Sequence, residues 1–454
     1  MGLYIDHDLK RATMKALEQA EDELRAQPCA ILYFTGSHSG GTRTYDQAMT
    51  VIKEQYPSVP LVGCSGLGMA NKNDYGMKGA GMMLLTGLTA KSAIVKRFRI
   101  ANWIKTKKIV KNCKKTVEAD RKINSNTTHI FFPPGVGFPK FMANLLNHRI
   151  EGINPFMAFN NRIWRKFPLL SKIAGKPTEL LMNIAGIGFS YSSSWPLFTQ
   201  LYKKGIHFTG SFGADPLTML KTYQFYNFKA YKDSLAYMSI SSPDLQFESR
   251  ADSGAEIIPD KSFSLDSFIS GGFAPRIHGK WGADALLELY GMDKCPDILE
   301  RCTQRAFYAH PYRPLCVIDD QQNLNLYGLI VNPNLKHALI TTPPQIAKKL
   351  HSNDPNRYKA FIGDQSSTTI EYSLKKTLKT LVTKKTAFGL FFDCANRTMV
   401  LGDKFGQYLD NFKNFLGETP YLVILSGGEV NSQDYPIVNF TTVSHVANRT
   451  TLFP

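Results

Sequence analysis

Twice in this chain a short apolar strand runs straight into a glycine corner, and that recurrence limits the fold more than any other feature. Pro60 to Gly63 leads into Gly63-Cys64-Ser65-Gly66-Leu67-Gly68, and Ile206 to Thr209 leads into Gly210-Ser211-Phe212-Gly213-Ala214-Asp215. Upstream of the first corner, the apolar run Ala30 to Phe34 ends in the glycine-rich loop Thr35 to Gly41 and a helix through Ala48, Val51 and Ile52. Upstream of the second, Thr128 to Phe132 reads as a strand, Phe141 to Ile150 as a helix, Leu180 to Phe189 as a strand and Trp195 to Lys204 as a helix. Each corner is followed by what reads as paired strands, Gly81 to Leu85 with Ser92 to Phe98, and Tyr223 to Tyr231 with Ser234 to Ile240. This order implies a duplicated α/β unit over residues 28–240.

The Ser-, Pro- and Asp-rich stretch Ser241 to Asp260 has little apolar periodicity and marks the expected boundary between domains at 28–245 and 246–454. Beyond it come a helix Trp281 to Tyr290 closed by Gly291, a hairpin from Leu315 to Asp319 and Leu326 to Val331, and a helix Ser367 to Leu381. The chain then reads as strand Ala387 to Phe392, Cys394-Ala395-Asn396-Arg397, helix Tyr408 to Leu416, strand Tyr421 to Leu425 and Gly427-Gly428-Glu429. The expected fold class is therefore α/β, of the mixed α+β kind, with a duplicated strand-helix-strand unit followed by a smaller α/β domain.

At 43% hydrophobic residues, the 454-residue chain can bury substantial cores, which excludes disorder. No apolar run approaches the roughly 18 residues of a membrane span, and the start of the chain is polar and helical. Seven cysteines without a CxxC pair read as reduced thiols, so the expected location is the cytoplasm. A net charge of +17 favours an acidic partner. Lys105 to Lys122 forms an amphipathic helix whose lysines surround Ile109, Cys113 and Val117. Between Gly152 and Pro177, Phe156, Trp164 and Phe167 alternate with Arg162, Arg165 and Lys166, as in an interfacial membrane segment, although a cap over the core fits the same residues. Nucleic acid is disfavoured, because no recognised binding motif accompanies the charge.

Several short motifs, taken in order, resemble the FIST family of sensory modules. They are the corner Gly63-Cys64-Ser65-Gly66, the corner before Ala214-Asp215, Glu288-Leu289-Tyr290-Gly291, Phe392-Asp393-Cys394-Ala395-Asn396-Arg397, Gly428-Glu429, and Asn439-Phe440-Thr441-Thr442. The resemblance runs from about Pro28 to Thr442 and implies an N-terminal and a C-terminal sensory domain. It departs from the family where Val430, Asn431 and Ser432 follow Gly428-Glu429 in place of a proline, and in the inserted 152–177 segment. It also implies binding of a small molecule, with amino acids proposed as ligands and haem reported for some members, and a separate signalling protein as downstream partner.

On the residues themselves, Arg397 can pair bidentately with a ligand carboxylate, Glu429 can hold an ammonium and Asn439 can bridge, with Cys394, Cys64 and Ser65 at neighbouring strand ends. The alternative is that Arg397 and Glu429 pair with each other, and that Cys64 and Cys394 are packing residues. No cofactor is expected. Haem is the runner-up, through His278 or Cys295-Pro296. A binding protein is expected rather than an enzyme. His38 has no acid in its flanks to orient it, the loop 36–41 lacks a Walker lysine, and Gly66-Leu67-Gly68 lacks the third glycine of a dinucleotide loop.

Overall fold

Local chemistry sets the elements before any packing is considered. Asp8 caps the first helix by accepting from the Arg11 amide at 3.1 Å. The apolar run 30–35 alternates Ala30, Leu32 and Phe34 toward one buried cluster with Ile31 and Tyr33 toward another, the pattern of a strand covered on both faces. The computed structural model of the protein describes residues 1–454 apart from 25, 37, 39–40, 99–101, 124, 136–190, 215–221, 270–272, 294–307, 310–311, 321, 332–337, 341, 343, 352–353, 355–356, 434–435, 438–440 and 451–454. The helix expected over 141–150, the strand over 180–189, the aromatic segment 152–177 and Cys295 all lie outside the described residues.

The chain forms two compact units. The first is built from Met1–Val136, Ser194–Gly254 and Ser367–Pro454, the second from Gly137–Ser193 and Ala255–Ser366. The passage from one to the other at Gly254 falls inside the stretch 241–260. That stretch is not a loop: it forms strands Leu245–Asp252 and Ala255–Ser262. The second of these has half-exposed sides and a register shift around Pro259, which is why no apolar period marks it.

Within the first unit the elements recur in three series. The first holds β1 (Gly2–Tyr4), α1 (Leu9–Asp22), β2 (Ala30–Thr35), α2 (Thr42–Gln55), β3 (Leu61–Ser65), β4 (Gly68–Ala70), β5 (Tyr75–Gly76), β6 (Ala80–Leu85) and β7 (Thr89–Val95). The second holds α3 (Asn102–Arg121), β8 (Asn126–Phe132), α4 (Tyr191–Lys203), β9 (Phe208–Ser211), β10 (Tyr223–Tyr226), β11 (Lys229–Lys232), β12 (Leu235–Ser242) and β13 (Leu245–Asp252). The third holds α5 (Ser367–Leu381), β14 (Thr386–Cys394), α6 (Ala395–Leu401), α7 (Phe405–Leu416), β15 (Tyr421–Ser426), β16 (Glu429–Asn431) and β17 (Thr442–Arg449). The duplication expected over 28–240 thus has a third member.

The sheets run β1-β6-β2-β3-β10-β11, β7-β12-β8-β9-β16 and β13-β17-β14-β15-β4-β5. In each, the central strand is parallel to the strand that enters the glycine corner and antiparallel to the returning strand. After each corner the chain crosses to a neighbouring sheet: β4 pairs β15, β10 pairs β3, and β16 pairs β9. The strand pairs expected after the corners are therefore corrected. β6 joins β2, whereas β7 joins β12 in another sheet. This exchange covers sheet edges that a self-contained unit would leave bare.

The three corners meet in a ring of equivalent backbone hydrogen bonds, Leu67 N to Leu425 O (2.8 Å), Ala214 N to Ser65 O (2.8 Å) and Gly427 N to Phe212 O (3.2 Å). Below the ring, Phe34, Phe132 and Phe392 from the three central strands pack on one another, with ring centroids 5.4, 6.5 and 6.2 Å apart. Gly63 and Gly210 hold equivalent places facing the central strands. A Cβ there would sit 1.6 Å from Tyr33 O and 1.9 Å from Phe131 O, so no side chain fits.

The second unit pairs Ala255–Ser262, Lys359–Gln365, Leu315–Ile318 and Leu324–Tyr327 in an antiparallel sheet; the expected hairpin forms with Leu324–Tyr327 as its second arm, whereas Leu329–Val331 pairs with Tyr308–Ala309 and Ala338–Ile340 in another sheet. Its helix Gly282–Tyr290 is closed by Gly291 at φ +74°, as expected.

Candidate functional site

In the sheet order β13-β17-β14, register sets Asp252, Thr442 and Asp393 side by side at one end. The chain turns from β14 directly into α6, so Arg397 follows Asp393 by one helical turn and lies over that row. Its guanidinium donates to Asp252 Oδ1 from both terminal nitrogens at 3.1 Å, to Thr442 Oγ1 at 2.5 Å, and to the carbonyls of Asp252 and Ile370 at 3.3 and 3.4 Å. Its Nε lies 3.7 Å from Asp393 Oδ1, and its carbon centre sits 5.5 Å from the Tyr408 ring. Thr442 donates to Asp393 at 2.6 Å, which leaves Tyr408 to donate to Thr442 at 2.9 Å. Burial pushes Asp252 up to about 6 and Asp393 up as well, and Arg397 beside them pulls both back toward the ionised form.

Glu429 lies at the neighbouring strand end and does not hydrogen-bond to Arg397. Ser426 donates to its Oε1 at 2.5 Å and Thr441 to its Oε2 at 2.8 Å, and burial drives the carboxyl well up. Gln224 holds the equivalent place opposite β3, with its amide oxygen taking the Ser234 N–H at 3.2 Å. Burial favours the neutral form of this carboxyl, which is close to an amide in shape and charge. Glu429→Gln is therefore expected to shift stability by less than about 1 kcal/mol, whereas Glu429→Ala, which strands two hydroxyls and leaves a hole, is expected to cost about 2 kcal/mol in urea unfolding.

Ser65 donates to Ala214 O at 2.8 Å and accepts from Tyr223 N at 3.1 Å. Cys64 lies 3.6 Å from Ser211 Oγ, and burial pushes its thiol up to about 12, so it stays protonated. Cys394 is buried at the start of α6. The structure thus brings Cys394, Arg397 and Glu429 to one end of the third series and places Cys64 and Ser65 against the second corner, all of them internal. Asn439 lies outside the described residues. His38 is buried and accepts from Gly79 N at 3.1 Å, and His278 is exposed in a turn at φ +49°.

Sequence reasoning missed three histidines, His129 and His445 fully buried and His207 half-buried. His207, just before β9, accepts from Thr128 Oγ1 at 2.9 Å and lies 3.3 Å from Ser249 Oγ. Ser249 donates onward to Asn431 Oδ1 at 2.9 Å, so the proton on His207 sits on Nε2. His129 Nδ1 lies 2.7 Å from Ser239 Oγ. His445 is fully buried, stacked on Phe247 with centroids 6.0 Å apart and 5.8 Å from the His207 ring. Beside His207 opens a cleft of about 510 Å³, whose polar lining is Arg121, Ser125, Asn126, Thr127, His207 and Gln246, with Phe247 among its apolar residues. Among the described residues, no carboxylate lines it. Each of these residues is unremarkable in its own stretch of sequence, and only their gathering marks the place.

A family model, the FIST N domain, matches residues 29–262, which runs from β2 through the rest of the first series and the second series to the strand Ala255–Ser262. A comparison with curated proteins finds no matching relative.

Proposed function

The chain belongs to the FIST family, whose N domain marks a sensory signal-transduction module, and from that premise we propose that it senses a small carboxylate-bearing ligand, an amino acid or a related organic acid. The cleft at the end of α3 carries this reading. Among the described residues its lining pairs one guanidinium with neutral amides, hydroxyls and an imidazole, and includes no acid, which suits an anion held by a charge-assisted contact. The nearest acid on α3, Asp120, is buried and accepts from Thr127 at 2.7 Å. On this reading Arg397 is an internal latch, and the signal passes to a separate protein by binding rather than by catalysis. No cofactor is invoked.

Native mass spectrometry of the purified protein, followed by calorimetric titration of amino and organic acids, tests the proposal. Arg121→Ala is expected to weaken binding at least roughly tenfold, since a hydrogen bond to a charged group contributes about 1.5–3 kcal/mol. Arg121 is exposed, so its loss should leave the unfolding midpoint unchanged. Binding that survives Arg121→Ala intact would remove the cleft as the site.

A further inference from the structure

Helix α3 sorts its charges by face. Thr106, Ile109, Cys113 and Asp120 are buried on the side that packs toward β8 and β12. Lys108, Lys111 and Lys115 stand exposed on the opposite side at i, i+3 and i+7, roughly 4.5 and 6 Å apart along the axis, and Lys122 follows in the turn after the helix. The helix has two acids, and neither neutralises this stripe. Asp120 points inward, taking hydrogen bonds from Thr127 at 2.7 Å and Ser241 at 2.5 Å, and Glu118 pairs with Lys114 at 3.4 Å. Lys105 bends back to the carbonyls of Lys96 and Arg97.

Apolar side chains mark both ends of the stripe. Ile104, one turn before Lys108 on the same line, is 54% exposed, and Ile123, directly after Lys122, is 70% exposed. We propose that this face docks on an anionic lipid bilayer, with the lysines meeting the headgroups and the two isoleucines entering the boundary between headgroups and acyl chains. A row of cations, with the exposed Glu118 beside it already paired to Lys114, matches a flat anionic surface. Exposed isoleucines at its ends add contact area on lipid and nothing on a phosphodiester backbone. The lysines do not line the cleft, so the surface stands or falls independently of the ligand site.

Flotation of the full chain with vesicles of phosphatidylcholine containing phosphatidylserine, and of phosphatidylcholine alone, tests the surface. Binding is expected only with phosphatidylserine and is expected to weaken at high salt. Charge reversal at Lys108, Lys111 and Lys115 together should lower the partition coefficient by about two orders of magnitude, because each lysine contributes about fivefold. Ile104→Ser should weaken binding severalfold at unchanged charge, the signature of insertion. All four positions are exposed, so circular dichroism and the unfolding midpoint should not move. No flotation with phosphatidylserine, equal flotation of the triple variant, or displacement of the bound protein from vesicles by duplex DNA would each overturn the proposal.

Discussion

Replacing Arg397 by alanine is expected to cost about 3–5 kcal/mol of stability, because it leaves two buried carboxylates without their cation. Arg397 and Asp393 are fully buried and Asp252 nearly so. Solvent therefore does not replace what the guanidinium supplies. The variant also removes the donor to Thr442, so the three strand ends of β13, β17 and β14 lose the group that ties them together. The pH dependence separates lost charge from lost volume. Burial already holds Asp252 up at about 6, and without Arg397 both carboxyls rise further. Folding of the variant then keeps them protonated while the unfolded chain ionises them. The penalty should be larger at pH 8 than at pH 5, measured as the difference in urea midpoints between variant and parent. A penalty independent of pH would assign the loss to packing alone. Arg397→Met, which keeps the stem and removes the charge, should show the same pH dependence.

The second large effect is expected from the buried histidines as the solution is acidified. Burial holds His129 and His207 down at about 4 and His445 well below its usual value. An unfolded histidine titrates near 6.5, so between about pH 6.5 and 4 the unfolded chain binds protons that the folded chain refuses, and stability falls as pH falls. For His129, which is fully buried, the full window is worth about 3 kcal/mol. Asp252, Asp393 and Glu429 act in the opposite sense. Their folded forms hold protons more tightly than the unfolded chain does, so acidification relieves the cost of burying them. The two sets offset each other in the parent, and a variant is needed to expose one. Relative to the parent, His129→Gln should be less stable at pH 7 and should recover about 3 kcal/mol by pH 4, read from urea unfolding at each pH. A constant difference across that range would mean that His129 is not neutral and buried in the folded state.

Much of this fold is legible one stretch at a time. The helices 9–22, 367–381 and 405–416 and the strands 30–35, 61–65, 386–394 and 421–426 fall where apolar period and length put them, because those signals act over a few residues. The lysine face of α3 is equally local. The corners, too, are visible, since Gly63 and Gly210 are required wherever a strand backbone passes so close. The strand partners are not. β6 and β7 are neighbours in sequence and belong to different sheets, and nothing in either strand names β2 or β12 as its partner.

The same distance hides the site. Arg397 was legible as a charged group at a strand end, but its partner Asp252 lies 145 residues earlier, in a stretch that reads as a linker. His129 and Ser239 are 110 residues apart, and Ser249 and Asn431 are 182 apart. By itself the sequence determined the elements, the glycine corners, the family and the basic face, because each is a pattern within one segment. Only the tertiary structure decided that three series close a ring, that Arg397 is spent on buried carboxylates, and that Arg121 and His207 share a cleft. Those outcomes depend on which distant backbones hydrogen-bond and which charges are then sealed from water, and no local pattern encodes either.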